Sequence, residues 1–458
     1  MRQTHIYMKT FQDFDLPKSL QKALDQMGFV TPTPIQAKSF SVILSGRDMM
    51  GIAQTGTGKT FAYLLPILKQ WKFQKTDTPR VVILVPTREL VVQVVEEINK
   101  LTEYMSVRAL GIYGGVNINT QRQKLAEGVD ILVGTPGRIM DLSLDGVLRF
   151  DVTQKLIIDE FDEILNLGFR VQLTSILSMM KTKRQNILFS ATMTEDVDAI
   201  LDEFFEFPEE VSLAPSGTPL EQITQKLYNV PNFLTKVNVI KHLLTNDETT
   251  ERVLIFVNNK KLVDVAYELI NEDFPEQFGV IHSNKSQNYR LQTMAAFQNS
   301  ELRGIITTDV MARGLDISDI THVFNLQFSE VPEQYIHRIG RTGRYDKEGV
   351  AISFVAPYEE EKLLAVEELM NQEIDVLEFP AEIIVEEKKL EFEKDKRKLK
   401  GTSKKPVVDE RGAAFHEKKD KNKKVNLGGP SKTKTKKTAP RNRGVEKKRA
   451  AKFKNSKK

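Results

Sequence analysis

Short apolar runs alternate with longer amphipathic segments along most of the chain, and this alternation predicts an α/β fold. Residues 81–86 read VVILVP, and similar runs recur at spacings that leave room for a helix between them. Such alternation is typical of a parallel sheet covered by helices on both faces. The predicted strands are Val81–Pro86, Ala109–Tyr113, Ile131–Gly134, Leu156–Glu160, Ile187–Ser190, Val253–Val257, Val280–Ser283, Ile305–Thr308, Val323–Leu326 and Ala351–Val355.

A proline-rich segment divides these strands into two sets. The segment Phe207–Leu220, FPEEVSLAPSGTPL, contains three prolines and one glycine and interrupts the alternation. Clusters of these residues are typical of loops. We therefore expect an N-terminal domain at residues 1–208, a linker at 209–221, a second, similar domain at 222–372 and a charged, mostly disordered tail at 373–458.

The composition agrees with two domains. The chain has 458 residues, 40% of them hydrophobic, which is enough for two cores of ordinary size. It contains no cysteine, which excludes disulfides and thiolate metal sites. Its apolar runs are too short to cross a bilayer, and its first residues lack the apolar stretch of a secretory signal. We expect a soluble intracellular protein without a membrane partner.

The positive charge is concentrated at the C-terminal end. Residues 401–458 hold 21 lysines and arginines against 5 acidic residues, a net charge of +16, so residues 1–400 carry −12 of the overall +4. This end has almost no large apolar residues and is predicted to be disordered. Lysines release counterions condensed on phosphates, so the tail is interpreted as a tether for a polyanion; the alternative is a solubilising tail without a partner.

A glycine-rich stretch predicts a binding site for a nucleoside triphosphate. Residues 49–60 read MMGIAQTGTGKT, in which glycines let backbone N–H groups surround phosphate at the start of a helix. Lys59 would reach the β- and γ-phosphates, and the Thr60 hydroxyl would face Mg²⁺. Ala53 stands where this pattern usually has its first glycine. The expected nucleotide contacts here are Ala53, Gln54, Thr55, Gly56, Thr57, Gly58, Lys59 and Thr60.

Four carboxylates follow a buried strand in residues 156–165, LIIDEFDEIL. Ligands bind at the carboxyl ends of strands in such sheets, so Asp159 would hold Mg²⁺ directly or through water, and Glu160 would orient and activate the attacking water. The alternative is a helix cap, because Asp162 and Glu163 would also stabilise the following helix through its dipole. The neighbouring phosphate loop favours catalysis.

Together these motifs resemble the DEAD-box ATP-dependent RNA helicases of superfamily 2. The resemblance covers residues 11 to about 370 and implies two tandem RecA-like domains. The matching segments, in family order, are Phe29 with PTPIQ at 32–36, AQTGTGKT at 53–60, PTREL at 86–90, the glycines Gly114 and Gly115, TPGR at 135–138, DEFD at 159–162, SAT at 190–192, LIFVNN at 254–259, residues 308–316 and HRIGRTGR at 337–344.

The resemblance implies further contacts with ATP. Phe29 would stack on adenine and Gln36 would hydrogen-bond its edge, which favours ATP over GTP. Asp316 would contact the ribose. Arg341 and Arg344 would be arginine fingers that stabilise charge on the γ-phosphate only when the two domains close.

The resemblance also implies RNA contacts that follow strands in loops and bind the backbone without regard to sequence. In the second domain, residues 287–290 match the family's QxxR segment, for which a solvated surface helix is the alternative. Ser283 stands where a glycine usually precedes this segment. The implied RNA-binding residues are Pro86, Thr87, Arg88, Gly114, Gly115, Thr135, Pro136, Gly137, Arg138, Gln287, Arg290 and Thr308.

A last group of residues would couple hydrolysis to unwinding, namely Asp162, Ser190, Thr192 and His337. The family places alanine where this chain has Phe161. A phenyl ring adds volume beside a packed site, so either its neighbours are smaller or the turn is shifted, with a predicted effect on how Asp162 meets residues 190–192.

The expected function is that of an ATP-dependent RNA helicase, which locally unwinds or remodels RNA duplexes and ribonucleoprotein when two domains close on RNA. The alternative is an ATP-gated RNA clamp or ribosome-assembly platform with little unwinding. The expected cofactors are ATP and Mg²⁺. Ribosomal precursor particles are a possible target, the protein is expected to be monomeric, and its compartment is the bacterial cytoplasm or, in a eukaryote, the nucleus or nucleolus.

Overall fold

The computed structural model describes residues 10–54, 56–213, 222–309, 319–343 and 347–394, which form two parallel sheets flanked by helices. The prediction of an α/β fold with two tandem domains is confirmed. The predicted disordered tail lies, beyond Lys394, outside the described residues.

The first sheet has seven strands in the order β3-β4-β2-β5-β6-β1-β7, and every neighbouring pair is parallel. Short connections from strand to helix therefore gather at one edge of the sheet. The strands are β1 (Met49–Ile52), β2 (Val81–Leu84), β3 (Ala109–Ile112), β4 (Ile131–Gly134), β5 (Lys155–Ile158), β6 (Gln185–Ser190) and β7 (Glu209–Ser212).

The helices of this domain pack on both faces of the sheet. A 3₁₀ turn at Phe11–Phe14 precedes them. The helices are α1 (Lys18–Gln26), α2 (Pro34–Leu44), α3 (Lys59–Lys69), α4 (Arg88–Leu101), α5 (Ile118–Ala126), α6 (Pro136–Leu144), α7 (Phe161–Asn166), α8 (Arg170–Met179) and α9 (Glu195–Phe204).

The second sheet repeats the architecture with the order β10-β11-β9-β12-β13-β8-β14, again parallel throughout. Its strands are β8 (Ile223–Asn229), β9 (Val253–Phe256), β10 (Phe278–Ile281), β11 (Gly304–Thr307), β12 (His322–Asn325), β13 (Gly349–Val355) and β14 (Asp375–Leu377). Its described helices are α10 (Phe233–Asn246), α11 (Lys260–Asp273), α12 (Gln287–Gln298), α13 (Pro332–Ile339) and α14 (Glu360–Met370), with 3₁₀ turns at Pro357–Glu359 and Glu391–Glu393.

Alternating side chains of β5 pack into the two halves of the hydrophobic core of the first domain. Ile157 packs on one face with the apolar residues of α3 and α4, whereas Leu156 and Ile158 pack on the other face. Burial on both faces explains why the central strands are continuous apolar runs, and why they could be predicted from the sequence.

The predicted linker is too long at its N-terminal end. Residues Glu209–Ser212 form β7, which pairs with β1 in the register Met49 to Glu209. Only Val211 of this edge strand is buried, so its sequence has no apolar run from which to predict it. The first sheet therefore includes residue 212. Residues 214–221 lie outside the described ranges.

The predicted tail begins too early. Strand β14 pairs with β8, and Phe379, Ile383 and Leu390 pack against the second core. The ring of Phe392 lies 6.0 Å from that of Phe233. Residues 373–394 are thus a strap on the second domain. The sequence did not predict this packing, because the segment has many charged residues and its apolar side chains are widely spaced.

A buried ion pair joins α10 of the second domain to the turn before α14. The Lys236 ammonium contacts the Glu359 carboxylate and donates to the Leu326 carbonyl at 3.1 Å, and both side chains are buried. Glu359 also accepts the backbone N–H groups of Phe328 and Ala356 at 3.2 and 3.1 Å.

Lys236→Met is expected to lower the free energy of unfolding by about 3–5 kcal/mol, because it leaves the buried charge of Glu359 without its cation. Urea denaturation followed by circular dichroism measures the loss. The matched control is Lys362→Met, which breaks an exposed pair with Glu330 worth about 1 kcal/mol or less. Equal effects of the two substitutions would contradict the importance of the buried pair.

No helix in the part of the chain that the structure describes is long and apolar enough to cross a membrane.

Candidate nucleotide and RNA site

The carboxyl ends of β1 and β5 bring the phosphate loop and the acidic turn together. Lys59 begins α3 directly after the loop, and Asp159 follows β5. The Lys59 Nζ lies 3.8 Å from the Asp159 Oδ1, and both side chains are buried. Two elements that are 100 residues apart in sequence therefore meet at one edge of the sheet, where open α/β sheets bind ligands.

Some buried polar atoms at this edge lack hydrogen-bond partners among the described residues. The Nζ of Lys59 and the Oε2 of Glu160 are buried and have no hydrogen bond to any described residue. Native structures rarely leave such atoms unsatisfied without a functional reason. A cation and a carboxylate held in this way fit a triphosphate and the water that attacks it.

The acidic turn is held in an unusual backbone conformation. Glu160 has φ 50° and ψ 55°, which is the left-handed region that non-glycine residues seldom adopt. Its N–H donates to the Asp159 Oδ1 at 2.9 Å. Strain of this kind is typical of functional sites.

The oxygen donors at this edge fit Mg²⁺. Burial raises the pKa of Asp159, the charge of Lys59 opposes this rise and that of Glu160 adds to it. Asp159 and Thr60 offer the hard oxygens that Mg²⁺ prefers. Among the described residues no group of three or more His, Cys, Asp or Glu side chains could enclose a metal.

Gln36 links the segment at residues 32–36, which is predicted to contact adenine, to the phosphate loop. Its Oε1 accepts the N–H of Thr33 at 2.9 Å, and its Nε2 donates to the carbonyl of Gly58 at 3.1 Å. Gly58 has φ +87°, and a Cβ there would lie 2.5 Å from the Gln36 Nε2, so only glycine fits. Half-buried Phe29 packs edge-on against Phe61, with ring centroids 5.1 Å apart.

Hydrogen bonds to the backbone also hold the remaining described residues of the phosphate loop. Ala53 donates its N–H to the Ser190 carbonyl at 3.0 Å and so extends β1 along β6. The Thr57 hydroxyl donates to the Gln54 carbonyl at 2.8 Å, and Gly56 adopts φ +83°. Thr55 lies outside the described residues.

Asp162 is the centre of the predicted coupling group. Its Oδ2 accepts the N–H and the hydroxyl of Thr192 at 2.8 and 2.7 Å. The Ser190 hydroxyl donates to the Thr192 carbonyl at 2.7 Å and accepts the Asp162 N–H at 3.4 Å. His337 of the second domain approaches the same carboxylate, with 3.5 Å between Nε2 and Oδ2. The structure thus brings together all four residues of this group.

Glu163 lies in the first turn of α7, as the alternative of a helix cap requires, and it also belongs to the same contact. It is fully buried, and its Oε1 lies 3.2 Å from the His337 Nε2. Sequence reasoning missed this role because the partner is 174 residues away, and the only signal was a second carboxylate pair in a buried turn.

The charges at this contact reinforce one another. Burial alone would lower the pKa of His337, but Glu163 and Asp162 outweigh it and raise that pKa above the ordinary 6.5, with a smaller contribution from Glu160. For Asp162, burial would raise the pKa, but the hydrogen bond and charge of His337, the Thr192 hydrogen bond and the charge of Lys59 lower it well below its ordinary range.

The contact between the domains is expected to weaken as pH rises through the raised pKa of His337. A group with a raised pKa stabilises the contact fully below its ordinary value and loses this effect as it deprotonates. Because the chain has no cysteine, one cysteine introduced at an exposed position of each domain permits specific dye labelling. Energy transfer with a bound ATP analogue should fall between neutral and alkaline pH, whereas a His337→Asn protein should show no such step.

Arg341 lies one turn beyond His337, is buried, and donates from Nε to the His337 carbonyl at 3.2 Å. The structure therefore brings it to the side of the second domain that meets the acidic turn. Arg344 and Asp316 lie outside the described residues.

Sequence reasoning missed Arg338, the other arginine of this segment. Its guanidinium contacts the Asp309 carboxylate twice, one of these bonds at 2.7 Å, and donates to the Asn258 Oδ1 at 2.9 Å and to the Gln327 carbonyl. Arg338 is 1% exposed. It ties the loops after β9, β11 and β12 together, so its role is to hold this edge of the second sheet.

The RNA-binding candidates of the first domain follow strands β2, β3 and β4 at the same edge as the phosphate loop. They were all predicted to lie in loops, but Arg88 lies in the first turn of α4 and residues 136–138 lie in the first turn of α6. Thr87 and Thr135 are the N-caps of α4 and α6, and the Thr87 hydroxyl accepts the N–H of Leu90 at 3.3 Å. The Arg88 guanidinium packs over Gly115, which has φ +82°. Pro86 and Thr135 are buried, and Pro136, Gly137 and Gly114 complete the group.

Arg138 has protein partners in this structure. Its guanidinium donates to the Gln121 Oε1 at 2.8 Å and to the Val116 carbonyl at 3.2 Å, directly after the glycine pair. We infer that Arg138 shapes the Gly114 and Gly115 loop.

The QxxR residues bridge the two domains. The Arg290 Nη1 lies 3.2 Å from the Glu89 Oε1, and the Gln287 Nε2 donates to the same oxygen at 3.3 Å. Arg290 and Glu89 are both buried, which does not fit the alternative of a solvated surface helix. Glu89 was not predicted. Thr308, the last RNA candidate, is half-buried directly after β11.

Phe161 is fully buried at the start of α7, in the apolar cluster that includes Ile158, Ile164, Leu188 and Val197. The bonds of Asp162 to Thr192 are retained beside it, so the ring is part of the core and leaves the coupling group intact.

Phe161→Ala is expected to lower the free energy of unfolding by about 3–5 kcal/mol through the cavity it leaves, with little change in RNA-stimulated ATPase per folded molecule. Chemical denaturation and steady-state kinetics at low temperature measure the two effects. A large loss of unwinding at normal stability would assign the ring to coupling. The control is Phe73→Ala, since Phe73 is exposed.

Sequence comparison with known proteins finds relatives that cover both domains. Residues 33–200 match the family model of the DEAD/DEAH box helicases, and residues 235–346 match that of the helicase conserved C-terminal domain. The DEAD-box ATP-dependent RNA helicase CshA of Geobacillus kaustophilus is 38% identical over 373 residues, which are 81% of this chain and 79% of that protein. CshA of Bacillus subtilis is 38% identical over 371 residues, 81% and 74% of the two chains.

Solved structures are similar over both domains. Dbp5 of S. cerevisiae bound to RNA and ADP BeF3 superposes with a TM-score of 0.72 at 26% identity, over 81% of this chain and 95% of that one. The helicase Mss116 bound to single-stranded RNA and UDP-BeF gives a TM-score of 0.74 at 27% identity, over 81% and 80% of the chains.

Proposed function

This chain belongs to the DEAD-box ATP-dependent RNA helicases, which are RNA-dependent ATPases, and we propose from that premise how its own residues perform the reaction. The observation that carries the proposal is the meeting of Asp162 and Glu163 of the first domain with His337 of the second. A site that requires both domains links hydrolysis to domain closure.

In the proposed mechanism the first domain binds ATP by itself. Phe29 and Gln36 hold adenine, the loop at 53–58 surrounds the phosphates with N–H groups, and Lys59 neutralises the β- and γ-phosphates. Thr60 and Asp159 would hold Mg²⁺, which would neutralise phosphate charge in the transition state. The bond between Gln36 and the Gly58 carbonyl supports a shared role for these two segments.

Hydrolysis requires Glu160 and the second domain. Glu160 accepts a proton from the attacking water, and its buried oxygen without a partner supports this role. Arg341 stabilises charge that develops on the γ-phosphate after closure, and Arg344 and Asp316 are proposed to act with it on grounds of sequence alone.

RNA is proposed to bind along the loops at 86–88, 114–115 and 135–138 of the first domain and near Arg290 and Thr308 of the second. Closure through the pair of Arg290 and Glu89 would bend the bound strand and separate a few base pairs. The backbone groups and small residues of these loops support binding without sequence preference.

We further propose ribosomal precursor particles as one target, a monomeric protein and a bacterial cytoplasmic location, with the basic residues beyond 400 as the tether. The similarity to helicases of Geobacillus kaustophilus and Bacillus subtilis supports the bacterial location. An ATP-gated clamp or assembly platform that seldom unwinds remains the second candidate, favoured by the many contacts that hold the closed form.

Two assays test the proposal. ATP turnover is measured with and without RNA, and displacement of one strand from a short duplex is measured with ATP and with a non-hydrolysable analogue. We expect turnover to rise with RNA and displacement to require ATP. Equal turnover in both conditions would contradict coupling, whereas RNA-stimulated turnover without displacement would favour the clamp.

A further inference from the structure

Tyr63 is a fully buried tyrosine one helical turn beyond the phosphate loop, and no role proposed above uses it. It lies in α3, three residues after Thr60 and four after Lys59. Long side chains on a helix point back toward its N-terminus, so the ring extends over the turn that carries these two residues. The ring is 0% exposed, and its centroid lies 5.9 Å from that of Phe189.

The hydroxyl of Tyr63 faces the residues assigned to the metal. It interacts with the Thr60 hydroxyl and the Asp159 carboxylate. With the groups in the described ranges it completes no hydrogen bond of full geometry. A buried hydroxyl in this state calls for an explanation.

The phenol is a donor at neutral pH. Burial raises its pKa well above the ordinary value, and the negative charges of Asp159 and Glu97 raise it further. Glu97 acts on the phenol only through its charge, whereas Asp159 lies within hydrogen-bonding reach of it. The Lys59 Nζ is farther from the Asp159 Oδ1, at 3.8 Å, so the phenol is the nearer candidate donor to hold this carboxylate.

We propose that Tyr63 is a positioning residue that donates a hydrogen bond to Asp159 and fixes this carboxylate in the orientation that holds Mg²⁺ beside bound ATP. The inference rests on the proposed function, in which Asp159 and Thr60 are the metal residues. Donors behind a metal ligand restrict its rotation and commonly determine how tightly the metal is held. Tyr63 would thereby connect the helix after the phosphate loop to the turn that contains Glu160.

The test is Tyr63→Phe, which removes a single oxygen atom from the core. Binding of a fluorescent ADP is titrated at a series of Mg²⁺ concentrations, without turnover, alongside thermal unfolding. We expect the Mg²⁺ concentration for half-maximal tight binding to rise about tenfold. Binding in the presence of a chelator should not change, because the phenol does not touch the nucleotide.

Two further proteins make the result decisive. Tyr228→Phe removes the hydroxyl of a buried tyrosine in the second sheet and should leave the Mg²⁺ requirement unchanged. Asp159→Asn should raise it strongly. A raised requirement in Asp159→Asn but not in Tyr63→Phe would overturn the role of Tyr63 and leave the metal site in place. No change in either protein would overturn both. A lower melting temperature of Tyr63→Phe with an unchanged Mg²⁺ requirement would assign the phenol to packing and also overturn the proposal.

Discussion

Glu160→Gln is expected to lower RNA-stimulated ATP turnover by about 10²- to 10⁴-fold, the usual contribution of a general base. The amide has the shape of the carboxylate but cannot accept the proton of the attacking water. Glu160 is buried, and its Oε2 has no hydrogen bond to the described residues. Its replacement therefore removes chemistry without breaking a contact. Single-turnover hydrolysis with saturating RNA measures the effect.

Measuring ATP affinity distinguishes a loss of catalysis in the Glu160→Gln protein from a loss of folded structure. In the Glu160→Gln protein, binding of a fluorescent ATP analogue should stay close to that of the parent, and RNA should be retained longer, because the closed form no longer hydrolyses its ATP. The matched control is Glu103→Gln, at an exposed position of the same domain. Turnover within about tenfold of the parent would contradict the assignment of Glu160 as the base.

His337→Ala is expected to weaken RNA binding in the presence of an ATP analogue by about two orders of magnitude or more. The His337 ring lies between two buried carboxylates, at 3.5 Å from Asp162 and 3.2 Å from Glu163, and these carboxylates raise its pKa. Removing one member of a buried ion pair leaves the others uncompensated and costs about 3–5 kcal/mol. This cost applies only to the closed form, since in the open form water solvates the carboxylates.

Whether the loss of RNA binding depends on bound nucleotide shows whether it arises from weaker domain closure. Fluorescence anisotropy of a short labelled RNA is measured with ADP and beryllium fluoride and again without nucleotide. The His337→Ala protein should differ from the parent only in the first condition, and His242→Ala, on the outer helix α10, should differ in neither. An equal loss in both conditions would mean that His337 supports the fold of the second domain and would contradict its role in closure.

Most strands that are buried on both faces could be predicted from the sequence, although β1 was not among those predicted. The order of motifs along a parallel sheet brings Lys59 and Asp159 to one edge. Strands β7 and β14 could not be predicted in this way, because these two edge strands bury one side chain in two or fewer and their polar residues resemble those of loops.

The site was predictable in its chemistry and less so in its contacts. The residues proposed to contact phosphate belong to short local patterns, whose types and spacing predict their role, and the structure brings Lys59 of one pattern beside Asp159 of another. Glu89 and Glu163 meet partners about 200 and 174 residues further along the chain. Nothing local distinguishes such a glutamate from one on a solvated helix face, and only the folded arrangement reveals that its charge is buried.

The strap at residues 373–394 determines where the helicase core can be shortened. Asn232 caps α10 and donates to the Glu386 carbonyl, and the Glu393 carboxylate accepts the Phe233 N–H at 2.7 Å. A truncated protein that ends at residue 372 would expose the start of α10 and remove the ring that covers Phe233. Removal of the basic tail alone therefore requires a cut after Lys394, and a protease that cuts earlier would damage the domain as well as release its tether.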